Sequence, residues 1–93
     1  MKVYQINYDL RKQRNYDALY EQIRAYGTWC RPLESCWLVA TNQTAAQVRD
    51  NLGKVMDSDD GIIVTRLQGE AAWRGLSTQV SDWLKDKLNR VTT

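Results

Sequence analysis

The stretch Thr28–Asn42, TWCRPLESCWLVATN, decides the fold. Pro32 and the run Leu33-Glu34-Ser35 mark a turn between two strand-like segments. The first, beginning at Trp29, is short. The second, Cys36 to Thr41, is strongly apolar. A hairpin in the middle of the chain is flanked by a helix on each side, and each helix leads out to another strand.

Before the hairpin, Tyr16, Leu19, Tyr20, Ile23 and Tyr26 recur at helical spacing. Asn15 is a fair N-cap for that helix, and Gly27 ends it in the usual way. A polar, basic loop runs back from Arg14 to Asp9. Lys2 to Tyr8 alternates, with Tyr4, Ile6 and Tyr8 on one face and Val3, Gln5, Asn7 and Asp9 on the other. After the hairpin, Thr44 caps a second helix with a buried stripe of Ala45, Val48, Leu52 and Val55. DSDDG, residues 57–61, breaks it. IIVTRL, residues 62–67, is a fourth strand, apolar enough to sit inside a sheet, and Gly69 closes it.

The order βαββαβ is an α+β arrangement and reads as a ferredoxin-like split βαβ sandwich. Residues 1–68 form this core. Its antiparallel sheet has strands one and three in the centre and both helices on one face. Residues 69–93 are an added amphipathic helix with an apolar stripe of Leu76, Val80, Trp83, Leu84, Leu88 and Val91. Such a helix can cover the sheet's bare face or pack on a partner. Completing its own core is the favoured reading, because small domains need the extra burial.

Ninety-three residues suit one domain. With 43% hydrophobic residues, 26% charged residues and one proline, the chain is globular and not disordered. No apolar run approaches the roughly 20 residues that span a bilayer, and no signal-peptide pattern opens the chain. A cytoplasmic protein without a membrane partner is expected. The net charge of +2 permits a nucleic-acid partner without arguing for one. Histidine is absent, which removes the commonest general base and zinc ligand. Cys30 and Cys36 flank the turn. A three-residue loop would set them opposite each other, and a two-residue loop would not. In a reducing compartment they are free, partly buried thiols.

The residues also resemble a family. VYQINYDL with a basic loop after it is similar to the opening of the CRISPR-associated Cas-two proteins, where an apolar strand ends in Tyr-Asp. A helix ending in Tyr-Gly, PLESCWLV at the third strand and DSDDGIIVTRL at the last core strand extend the likeness over residues 1 to about 68. The small bacterial relatives named SinR-family proteins look most alike, with Ser-x-Trp-Leu-Val in the third strand and Ala71-Ala-Trp-x-Gly75 in the tail. The chain departs from the family in its shorter basic loop and in a helical tail where a short exchanged strand often ties family dimers together.

The resemblance implies a homodimer in which two Asp9 carboxylates share one Mg²⁺ or Mn²⁺ and cleave DNA or RNA weakly as a metal-dependent nuclease. Two facing carboxylates repel unless a cation or proton lies between them. A metal there would lower the pKa of a bound water. Arg11, Lys12 and Arg14 would hold phosphates. Tyr8 and Ser35 are candidate supporting residues. The plainer reading is that Asp9 accepts hydrogen bonds in a turn, that Ser35 is a turn residue and that the basic loop is solvated. DSDD lacks calcium-loop spacing and reads as a solvated turn. The tryptophans read as packing residues first and base-stacking ones second. A non-catalytic dimeric adaptor, or a toxin-like or mobile-element accessory protein binding nucleic acid or protein, is the alternative to the enzyme.

Overall fold

The computed structural model of the protein describes residues 1–11 and 16–88. The elements are β1 (Lys2–Asp9), α1 (Asp17–Arg24), β2 (Trp29–Leu33), β3 (Cys36–Thr41), α2 (Ala45–Gly53), β4 (Gly61–Arg66) and α3 (Thr78–Lys87). The four strands form one antiparallel sheet in the order β2-β3-β1-β4. This is a small α+β domain with β1 and β3 in the centre, as the sequence leads one to expect.

The alternation in β1 sorts its side chains between two layers. Tyr4 and Ile6 are buried with Trp37 and Val39 of β3 beneath Leu19 and Ile23 of α1 and Val48 and Leu52 of α2. Val3 points the other way and packs with Cys30, Leu38, Ala40, Leu84 and Leu88. The unbroken apolar run of β3 follows from this arrangement. Residues 37–40 are all buried because both faces of the central strand are covered there.

Local signals account for the helix ends. Thr44 and Gln47 form a reciprocal capping box, with Gln47 N donating to Thr44 Oγ1 at 3.2 Å and Thr44 N to Gln47 Oε1 at 2.8 Å. Gly27 takes φ +83° after α1, where a side chain would be strained. The N-cap of α1 is Tyr16, with no capping side-chain hydrogen bond, and not Asn15 as expected. Asn15 lies outside the described residues, as does Val91 of the expected tail stripe.

The chain departs from expectation in two places, the hairpin turn and the start of the tail helix. Leu33 belongs to β2 and pairs with Cys36, leaving the two-residue turn Glu34-Ser35. Cys30 faces Leu38 in the register and not Cys36, so the cysteines are not cross-strand partners and both are free. β4 is the edge strand that the central place of β1 and β3 implies, although its apolar run would suit an interior one: its inward residues join the core, but Ile63 is 61% exposed. The tail helix starts only at Thr78. Gly75 takes φ +81°, and Ser77 caps α3 by accepting a hydrogen bond from Val80 N at 3.2 Å. Residues 67–77 run as irregular chain across the sheet's second face, where Trp73 donates from Nε1 to Ser81 Oγ at 3.0 Å. α3 then covers the β2–β3 side of that face, completing the molecule's own core. No helix among the described residues is long and apolar enough to cross a membrane.

Candidate functional site

Asp9 is the last residue of β1, opposite Gly61 of β4, on the half of the second face that α3 leaves open. Its side chain is 74% exposed, and Oδ2 accepts from Arg11 Nε at 3.3 Å. Arg11 is fixed from three directions. Nη1 donates to Asp59 O at 2.8 Å, its backbone N donates to Asp60 Oδ1 at 3.0 Å, and Nε holds Asp9. A Cβ at position 61 would meet Arg11 Nη2 at 3.0 Å, so the bare glycine leaves room for the guanidinium beside the strand end.

Asp60 organises this corner. Oδ1 also accepts from Tyr16 Oη at 3.0 Å, and Oδ2 accepts from Asp57 N at 2.9 Å. One carboxylate therefore ties together the turn before β4, the end of β1 and the start of α1. The run Asp57–Asp60 is more than the solvated turn its composition suggests. Sequence reading passes over Asp60 because it stands among other aspartates. Its place just before Gly61, at the mouth of a strand, is the one signal that sets it apart.

Tyr8 lies on the opposite face from Asp9 and serves the hairpin. Its hydroxyl accepts from Trp37 Nε1 at 2.9 Å and donates to Glu34 O at 3.3 Å, while its backbone N donates to Ser35 O at 3.4 Å. Burial pushes the Tyr8 phenol above its ordinary pKa, against the opposing pull of the Trp37 hydrogen bond. Ser35 is exposed in the turn, and its part in this network is its backbone carbonyl. Lys12 and Arg14, expected beside Arg11, lie outside the described residues. Of the expected phosphate ligands, Arg11 is the one among the described residues, and it lies against Asp9.

The open half-face carries Gln5, Asn7, Asp9, Ile63 and Thr65, with Gln5 Nε2 donating to Asn7 Oδ1 at 3.4 Å. A shallow hollow of about 350 Å³ is lined by Asn7, Tyr8, Asp9, Gly61, Ile62 and Ile63. No group of three metal-ligating side chains forms among the described residues. Asp9 brings one carboxylate, and its charge is already met by Arg11. The donor set that the described residues bring does not fit a resident divalent cation.

On the far edge of the sheet the tryptophans join a second constellation, whose arginines sequence reading passes over. Trp29, Trp37 and Tyr20 are in ring contact, with centroids 5.2 Å apart for Trp29–Trp37 and 5.9 Å for Tyr20–Trp37. The guanidinium carbons of Arg24 and Arg31 lie 5.6 and 4.9 Å from the Trp37 centroid. No protein-family model matches the chain, and no solved structure matches it.

Proposed function

We propose that this chain is a ferredoxin-like, Cas-two-like nucleic-acid-associated protein, akin to the SinR-family relatives, that works as a non-catalytic homodimeric adaptor. The strand order β2-β3-β1-β4, with α1 and α2 packed on one face, supports the ferredoxin-like reading. The half-open second face supports the dimer: a second copy would cover Ile63 and the hollow beside it. The observation that carries the non-catalytic reading is the Asp9–Arg11 contact. A lone carboxylate already facing a guanidinium, with no cluster of metal-ligating side chains among the described residues and no histidine in the chain, is poorly placed to serve as a base or metal ligand.

A second reading is favoured by the 74% exposure of Asp9 on that same open face. Two protomers meeting there would pool two carboxylates, the least that a shared Mg²⁺ or Mn²⁺ site needs, and the protein would be a weak nuclease.

Light scattering and a cleavage assay separate the readings. The adaptor predicts a dimer, nucleic-acid binding, and no difference in cleavage between wild type and Asp9→Asn in EDTA, Mg²⁺ or Mn²⁺. A mass near 10.8 kDa at micromolar concentration overturns the dimer. Metal-dependent cleavage of DNA or RNA that Asp9→Asn abolishes overturns the adaptor in favour of the nuclease.

A further inference from the structure

β2 is an edge strand, paired only with β3. Along its free edge a cavity of about 290 Å³ opens between the sheet and α3, lined by Trp29, Cys30, Arg31, Gln79, Val80 and Trp83. Alternation in β2 sends Trp29 and Arg31 toward α1 and Cys30 toward α3. Trp83 and Gln79 approach from α3, while the Trp29 indole lies on the other side of the edge strand, against Trp37.

Two cations accompany the aromatic walls. Arg24 lies over the Trp29 ring at 5.8 Å, and Arg31 over Tyr20 at 4.9 Å. Arg31 spends Nε and Nη2 on Glu34 O, at 3.0 and 2.6 Å, which fixes its plane and leaves its other N–H groups free. Neither guanidinium forms a salt bridge among the described residues, whereas Arg11 and Arg49 both do. Two like charges sharing the Trp37 ring repel one another, and an anion between them relieves that cost.

The geometry points to a nucleotide-binding site of single-stranded nucleic acid at the β2 edge. One base enters the cavity against Trp83, the Gln79 amide reaches its edge, and Arg31 and Arg24, around the edge of β2, take the flanking phosphates. The cavity lies at the small end of the roughly 300–1,000 Å³ range of ligand sites, which suits one base. Indole faces accept any base, so little sequence preference is expected. A duplex keeps its bases stacked inside and could not deliver one. The site rests on the reading of the chain as nucleic-acid-associated, and needs neither the dimer nor Asp9.

The test is a titration of the intact protein with a fluorescent oligothymidylate and with a duplex of equal length, over a range of salt. Wild type is expected to bind the single strand and to show quenched tryptophan fluorescence. Arg24→Gln with Arg31→Gln should weaken binding at least tenfold and reduce the magnitude of the log K against log salt slope by about 1.4, roughly 0.7 for each cation lost. Trp83→Ala should weaken binding by about tenfold with the slope unchanged. Because Trp83 also packs on the core, Gln79→Glu serves as a second variant. It is exposed, leaves the fold alone and puts a negative charge in the cavity, and it should weaken binding similarly. Arg49→Gln on α2 should bind as wild type. Single-strand binding unchanged in the cavity variants, or binding to duplex alone, overturns this site while leaving a nucleic-acid adaptor. Binding to neither overturns both.

Discussion

On the sheet face beneath α1 and α2, Ile6, Trp37, Val39, Leu19, Ile23, Val48 and Leu52 are fully buried. On the other face Val3, Leu38 and Ala40 meet α3, and then β1 turns outward through Gln5, Asn7 and Asp9. The first face is closed by two helices that the hairpin order obliges to pack there. The second is closed only where a ten-residue helix happens to reach. One face holds all of the fully buried large side chains, and the other keeps polar and apolar surface exposed.

The sharpest way to break this contrast is to hollow each face in turn. Trp37→Ala removes the largest fully buried side chain, one that touches Trp29 and Tyr20 and donates to Tyr8. Such truncations cost about 3–5 kcal/mol, against a total of roughly 5–14 kcal/mol for a domain of this size. Denaturant unfolding should show a collapse in stability or no cooperative transition. Leu84→Ala on the second face should cost about 2–3 kcal/mol and leave a cooperative fold. Equal losses at both positions would mean that the two faces bear equal weight.

Much of the first face is legible in the sequence. The period of two in Lys2–Tyr8, the helical spacing from Tyr16 to Ile23 and the Thr44 cap each state their structure locally. The second face is legible only in part. Its helix was readable from Val80, Trp83 and Leu84, but the late start at Thr78 depends on Gly75 and Ser77, residues that also occur inside longer helices. The edge position of β4 was implied by the strand order, yet its apolar run reads as interior because one face of an edge strand is still buried. Asp9 was legible as a residue and not as a contact. Its pairing with Arg11 depends on Asp59 and Asp60, some 50 positions away, which no local pattern announces.

Asp60 tests the corner where the faces meet. Asp60→Ala removes an acceptor for Tyr16, Asp57 and Arg11 together and should cost about 1–3 kcal/mol. Amide exchange should speed up at the end of β1 and the start of α1. A change confined to the turn before β4 would show that Asp60 does not join the three segments.

The two cysteines compare the covered and open parts of the second face directly. Burial, with a smaller contribution from Cys36, pushes the Cys30 thiol up to about 12, while burial raises Cys36 as well. A thiol whose folded pKa lies above its unfolded value of 9.0 contributes stability that is complete below pH 9 and is lost as pH climbs toward 12. In native protein at pH 8 a thiol reagent should label half-buried Cys36 first and Cys30 only on unfolding, with both found reduced. Simultaneous labelling would mean that α3 does not hold its place over Cys30.

The smallest effect is expected at Asp9. Its partner Arg11 is 57% exposed, so the pair is open to water and salt on most sides. Asp9→Asn keeps the shape of the side chain and removes its charge, and exposed pairs of this kind contribute about 0.2–1 kcal/mol. Arg11 keeps its bonds to Asp59 and Asp60, so the corner should not open. The loss should shrink as salt is raised to 1 M, where screening acts over roughly 3 Å. An unfolding series at low and high salt measures this. A loss of several kcal/mol that persists at high salt would make Asp9 part of the fold's framework, and the contrast between a stabilising face and an available one would fail at the residue that most depends on it.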